Sequence, residues 1–281
     1  MLYQYGVMQG RLSPPESGRF QAFPRTSWRE EFTRAKKTGV SYIEWIHDDY
    51  DAGANPIFSE EGRAEMNTLK AEHGIATPAL CGDWFMEFPL IRCTEQERRE
   101  REDHLRHLIP IARQIGAWRI VLPFVDNSRL TTEKEKEDIV AVLERTLSLA
   151  EENQVELHLE ADLDPPSFRE FLAMIPHPSI RVNWDSGNSS GLGYVASQEF
   201  AAYGDRIGSI HIKDRCRNPD GGVETRPLGT GSADFNDIFR AIRSVGYKGG
   251  LTLQVARGIA GDEVNFLRTQ IDFLQSFSEA R

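Results

Sequence analysis

The sequence predicts one fold class, a single (β/α)8 TIM barrel over residues 1–281, and three observations predict it. Short β-like runs alternate with longer helical patterns from end to end. Eight such pairs in 281 residues average about 35 residues each, an ordinary βα repeat, and no Pro/Gly/Ser-rich linker or internal repeat divides them. An open doubly wound sheet would leave strands over, and its glycine fingerprint is missing after the first strand, where GVMQGRL stands instead.

Strands are expected near 4–9, 41–46, 75–81, 119–125, 155–160, 180–185, 207–212 and 250–255. Helices are expected near 27–38, 59–73, 95–115, 132–153, 165–175, 196–203, 234–245 and 262–279. Several carry start signals. Ser59 precedes EEGRAEM, Thr94 precedes EQERRE, and Thr131 or Thr132 precedes EKEKED, so each helix begins behind a capping hydroxyl with carboxylates in its first turn. Gly39, Gly74, Gly116 and Gly246 stand just past helix ends, where the chain needs a left-handed residue.

Four of the strands share an anomaly. Glu160 in VELHLEAD, Asp185 in IRVNWDSGN, His211 in GSIHIKDR and Gln254 in GLTLQVAR each sit near the end of a run whose alternate positions are apolar. Side chains alternate across a strand, so these four face the same way. Buried parallel strands ordinarily read as continuous apolar runs. Taken singly, each polar residue reads equally well as a satisfied interior hydrogen bond. Taken together, at matched height at the catalytic end of four neighbouring strands, they point to a shared divalent cation. Carboxylate and imidazole donors without a thiolate suit Mn²⁺, Zn²⁺, Co²⁺ or Mg²⁺. The intervals Glu160–Asp185 and Asp185–His211 are 25 and 26 residues, single repeats; His211–Gln254 is 43 because the polar loop RCRNPDGGVETRPLGTGSADF follows the seventh strand.

A net charge of −10 argues against generic nucleic-acid or anionic-membrane binding. The start, MLYQYGVMQGRLSPP, has neither the charged lead nor the apolar run of a signal peptide, and no uninterrupted apolar stretch approaches a membrane span. Cys81, Cys93 and Cys216 form no CxxC and no paired framework, as expected of reduced thiols. The expectation is a cytoplasmic protein acting on a small molecule, with homo-oligomerisation left open.

VELHLEAD, NWDSGN, the HIKDR…PLGTGSADF block and LTLQVAR together resemble the sugar-phosphate isomerase/epimerase group of xylose isomerase-like TIM barrels, nearest the ketose and ketopentose-phosphate 3-epimerases. The resemblance implies that Glu160, Asp185, His211 and the residue at 254 bind the metal, and that Glu160 also exchanges a proton with substrate. It implies His211 as a partner in stabilising the charge that appears when a C–H proton leaves. One position departs from the pattern. The family carries Glu where this chain has Gln254, and an amide coordinates a cation but takes up no proton. A two-base epimerisation then needs its second base elsewhere, with Glu44, His47, Asp83 and Glu87 as candidates. Otherwise the chemistry is a one-base isomerisation or elimination.

The expected function is therefore a metal-dependent isomerase or epimerase of a small sugar, ketose or sugar phosphate. A dehydratase or lyase on the same barrel, or a non-catalytic sugar-binding barrel, are the alternatives. Substrate contacts are expected from Arg11, Glu44, Asp83, Asn188, Lys213, Arg215 and Arg257, the arginines as phosphate ligands or, equally, as solvated charge. The glycines of PLGTGSADF would either bring N–H groups to an anion or make a turn. Trp45, Trp84, Phe85 and Trp184 would wall a sugar pocket or fill the core.

Overall fold

The computed structural model describes residues 3–50, 52–218 and 222–278. The expected strands appear as β1 (Tyr5–Met8), β2 (Tyr42–Ile46), β3 (Ala76–Cys81), β4 (Arg119–Phe124), β5 (Glu156–Ala161), β6 (Ile180–Asp185), β7 (Ile207–Ile212) and β10 (Leu251–Leu253). They close into one parallel barrel in the order β1-β10-β7-β6-β5-β4-β3-β2. Between β7 and β10 the polar loop expected after the seventh strand folds in part as an antiparallel hairpin of β8 (Asp214–Arg217) and β9 (Val223–Arg226).

The eight expected helices are α1 (Trp28–Thr38), α2 (Glu60–His73), α4 (Glu95–Gln114), α5 (Glu133–Glu152), α6 (Pro165–Met174), α8 (Ala196–Tyr203), α9 (Phe235–Ser244) and α10 (Glu263–Ser278); position 279, the expected end of the last, lies outside the described residues. Thr94 and Thr132 each close a reciprocal capping box, with Glu97 and Glu135. Gly39 ends α1 at φ +85°, its N–H returning to Ala35 and Lys36 carbonyls. Two short helices were not expected: α3 (Trp84–Glu87) and α7 (Ser186–Leu192). Both follow strand ends too closely for a hydrophobic period to develop. No described helix is long and apolar enough to cross a membrane.

Outside the strands the core is apolar, with Phe23, Trp28 and Phe32 packed on the rings of Trp45. The barrel interior is divided. On β1 to β4 the inward residues Met8, Ile46, Cys81 and Val121 form a small apolar cluster, with Glu44 and Arg119 as buried polar residues of the same strands. The facing half is polar, and the sheet register explains why its groups meet. Leu159 pairs with Val182, Asp185 with His211, and His211 with Thr252, which sets the ends of β5, β6, β7 and β10 at one level. β10 stops at Leu253 instead of continuing to 255. Gln254 keeps the ladder only through its N–H, bonded to the Ile212 carbonyl at 2.9 Å.

Candidate active site

Each strand end places its side chain by a local device. Asp185 ends β6 and caps α7: its Oδ1 accepts the N–H groups of Gly187 and Asn188 at 2.8 and 2.9 Å. That leaves Oδ2 without a hydrogen-bond partner, although the Lys213 ammonium lies 2.9 Å away. Gly187 is required there, since a Cβ would come within 2.7 Å of the Lys213 side chain. Asn188, one turn into α7, donates from Nδ2 to Glu160 Oε1 at 2.6 Å, while Asn183 on β6 donates to Glu160 Oε2 at 2.8 Å. The DSGN motif thus caps a helix with its first residue and holds the neighbouring strand's carboxylate with its last.

His211 is fully buried. Its Nε2 faces Glu44 Oε1 at 2.7 Å, and its Nδ1 lies 3.4 Å from Glu160 Oε2 and 4.0 Å from Asp185 Oδ2 without a hydrogen-bond partner. Burial alone would lower its pKa, but the carboxylates of Glu44 and Glu160 outweigh burial and hold it well above the ordinary imidazole range. Glu44 moves the opposite way. Burial would raise it, yet His211, Arg119 at 3.7 Å and the Thr252 hydroxyl keep it well below the usual carboxylate range. Asp185 is likewise lowered against burial, by Lys213 and then His211.

Glu160, Asp185 and His211 offer ligand atoms that all lie within 4.8 Å of one another. Asp185 Oδ2 and His211 Nδ1 are buried with only the Lys213 ammonium and the Glu160 carboxylate beside them, and the amide oxygen of Gln254 is buried without a hydrogen-bond partner. A buried acceptor without a partner is rare and costly, and a divalent cation would satisfy the Gln254 oxygen together with the two neighbouring carboxylates and the imidazole. The residues present therefore fit a metal, with an imidazole proton displaced when it binds. Gln254 is held from its other side: its Nε2 donates to Gln21 Oε1 at 2.8 Å, which turns the carbonyl oxygen outward from that bond.

Above the triad opens a cavity of about 630 Å³, within the range of small-ligand sites. Glu160, Gln254, Asp83, Asn188, Lys213 and Arg215 line it, and Arg11, Glu44 and Arg257 do not. Glu44 sits beneath His211. Arg11 donates to the carbonyls of Val255 and Phe20 and to Gln21 Oε1, and Arg257 to the carbonyls of Gly10, Ser13 and Phe20. Both arginines fasten the loop that carries Phe20 and Gln21 to the cavity rim. The wall is not the tryptophan set: Trp45, Phe85 and Trp184 are buried core, and Trp84 packs on His104. The glycine loop after the hairpin binds an anion of its own. Asp214 accepts the N–H groups of Gly229, Gly231 and Ala233 at 2.9 to 3.0 Å, which folds PLGTGSA back onto β8.

Sequence reasoning passed over Asn183, Gln21 and Asp48. Asn183 was findable, since it stands two residues before Asp185 and so shares its face. Gln21 and Asp48 lie on irregular segments where no period marks them; Asp48 accepts the Phe23 and Tyr50 N–H groups, and burial pushes its carboxyl up to about 6.

The family pattern described as xylose isomerase-like TIM barrel matches residues 32–276. A putative L-ribulose-5-phosphate 3-epimerase, SgbU of Escherichia coli, is 25% identical over 239 residues, covering 82% of this chain and 84% of its own. Among solved structures, the IOLI protein with a bound zinc atom superposes with a TM-score of 0.79 at 15% identity, over 99% of this chain and 100% of that one. An L-ribulose 3-epimerase superposes at 0.74 and 15% identity, with 99% of both chains covered. At such identity these structures speak for the fold, and the family pattern over most of the sequence speaks for kinship: the chain belongs to the xylose isomerase-like TIM barrel family.

Proposed function

We propose that this protein is a metal-dependent 3-epimerase of a ketopentose phosphate, with a proton taken from the carbon beside the substrate carbonyl. One observation carries this reading: the Glu160 carboxylate, held by two asparagine amides, reaches the cavity floor within the Glu160–Asp185–His211 cluster. The relatives named as L-ribulose-5-phosphate 3-epimerases support the reaction and the substrate class.

A divalent ion held by Glu160, Asp185, His211 and Gln254 would supply positive charge for the oxyanion that forms as the proton leaves. Glu160 is the base. Its two asparagine donors, Asn183 and Asn188, fix the orientation of the carboxylate towards the cavity. Lys213, whose ammonium lines the cavity beside Asp185, offers a donor to a substrate oxygen. Arg215 and Arg217 line the cavity on its hairpin side, and the Arg215 Nε is buried without a hydrogen-bond partner, as a group awaiting phosphate would be.

The test is incubation of the metal-loaded protein with L-ribulose 5-phosphate in D2O. Formation of the 3-epimer with deuterium at C3 is expected. Net loss of water would favour the lyase alternative, and a protein that takes up no metal and shows no exchange would favour a binding role. Glu160→Gln should lower turnover at least ~100-fold with the fold intact by circular dichroism. A near-normal rate in that variant would remove Glu160 from the role of base.

A further inference from the structure

Gln254 leaves the epimerase one proton-transfer group short, and the cavity carries a buried carboxyl without a role so far. Asp83 follows β3, is 8% exposed, and lines the same cavity as Glu160 and Gln254. Its Oδ1 accepts the Cys81 thiol at 3.1 Å and its Oδ2 accepts Gln21 Nε2–H at 2.5 Å. The Oε1 of that same Gln21 receives Gln254 Nε2 at 2.8 Å and the Arg11 guanidinium at 3.0 Å. Two donors on the oxygen fix the amide's orientation, so its NH2 end must face Asp83.

The topology gives this bridge its meaning. β5 and β10 stand at the two ends of the arc β5-β6-β7-β10. Glu160 and Gln254 therefore flank the cluster from opposite sides, and Gln21 ties Asp83 to the Gln254 side. Of the other sequence candidates, Glu44 is beneath His211 and His47 Nε2 is 2.7 Å from His104 Nε2, while Glu87 lines the cavity but is exposed and so less desolvated than Asp83.

We propose that Asp83 is the second proton-transfer residue, acting on the face of the substrate carbon opposite Glu160. The assignment rests on the epimerase reading above and deepens it. The Glu160 carboxylate takes the C–H proton and becomes a carboxylic acid, and the bonding pair moves onto the adjacent carbonyl as an enediolate. The Asp83 carboxylic acid then gives its proton to the opposite face of the same carbon and becomes a carboxylate. The reverse reaction exchanges the two roles, proton exchange with solvent resets both groups, and nothing is oxidised or reduced. Burial raises the Asp83 pKa, the Glu160 charge adds to it, and the Gln21 and Cys81 hydrogen bonds oppose it, so the acid form is accessible for the delivery.

Each 3-epimer of the ketopentose phosphate, incubated separately in D2O with wild type, Asp83→Asn and Asp83→Glu, separates exchange from inversion. Asparagine keeps the size of the side chain and an acceptor for Gln21. Inversion by Asp83→Asn should fall at least ~100-fold from either epimer. Deuterium should still enter at C3 from the one epimer whose proton faces Glu160, at a rate within about tenfold of wild type, and not from the other. Asp83→Glu should restore part of the inversion. Inversion by Asp83→Asn within about threefold of wild type would overturn the assignment, as would equal loss of exchange from both epimers, which marks a structural role. A wild type that neither exchanges nor inverts would instead strike the epimerase reading itself, and the Asp83 assignment with it.

Discussion

At Gln254 the difference between an amide and a carboxylate is one charge and one titratable proton. With Gln there, the proposed ligand cluster would carry two carboxylates, Glu160 and Asp185, beside a His211 made neutral when a cation displaces its proton. Gln254→Glu would add a third negative charge, and we expect metal retention to tighten at least ~10-fold in chelator competition. Weaker retention would remove residue 254 from the coordination. Glu44 acts one contact further out. It accepts from His211 Nε2, which presents Nδ1 to the cation side. Glu44→Gln weakens that hold on the ring, and metal affinity should drop about 10- to 100-fold by direct titration. Unchanged affinity would show that packing alone orients the imidazole. Glu160, Asp185 and His211 were legible as a cluster because strand parity and repeat length are one-dimensional facts. Glu44 stands in the same parity on β2, yet only the closed barrel reveals that it bonds to His211 and does not line the cavity.

Elements carry the loops that shape the cavity, and α1 shows how. Its buried Glu31 accepts the Gly10 N–H with both carboxylate oxygens at 3.1 and 3.0 Å, pinning the turn after β1, where Gly10 has φ +81°. Burial outweighs those bonds and the nearby Arg257 and Arg34 charges, so the Glu31 pKa is raised to about 7. A carboxyl that binds its proton more tightly folded than unfolded contributes stability below about pH 4.5, lost as pH rises through about 7. Urea unfolding between pH 5 and 8 should show wild type losing on the order of 3 kcal/mol more than Glu31→Gln. Parallel slopes for the two proteins would contradict this. The helices with capping hydroxyls and terminal glycines were read correctly because those signals are local. The hairpin β8–β9 and the helices α3 and α7 were not. Each is too short to show a hydrophobic period, even where a cap is local, as Asp185 is to α7; the loop after β9 is held by Asp214 from across the hairpin.

For the whole molecule, the expected ligands come from four neighbouring strand ends, so a bound cation ties together a long stretch of the barrel wall. Because the folded chain assembles them and the unfolded chain does not, metal at about 100 times its Kd should add about 2.7 kcal/mol of stability. That corresponds to a Tm rise of roughly 5 °C or more, reversed by chelator and shrinking as pH falls and the imidazole proton competes. A Tm indifferent to Mn²⁺, Zn²⁺, Co²⁺ and Mg²⁺ alike would count against a metal centre.

The sequence by itself determined the barrel, the level at which its polar residues interrupt the strands, and the absence of a titratable group at 254. Those follow from period, alternation and side-chain chemistry, which are properties of neighbouring residues along the chain. Only the tertiary structure decided which groups share the cavity. It set Arg11 and Arg257 to fastening a loop and Glu44 to holding a histidine, and it joined Asp83 to Gln254 through Gln21. Residues 21, 83 and 254 belong to three different segments, and nothing in their local sequence measures the distance that barrel closure removes between them.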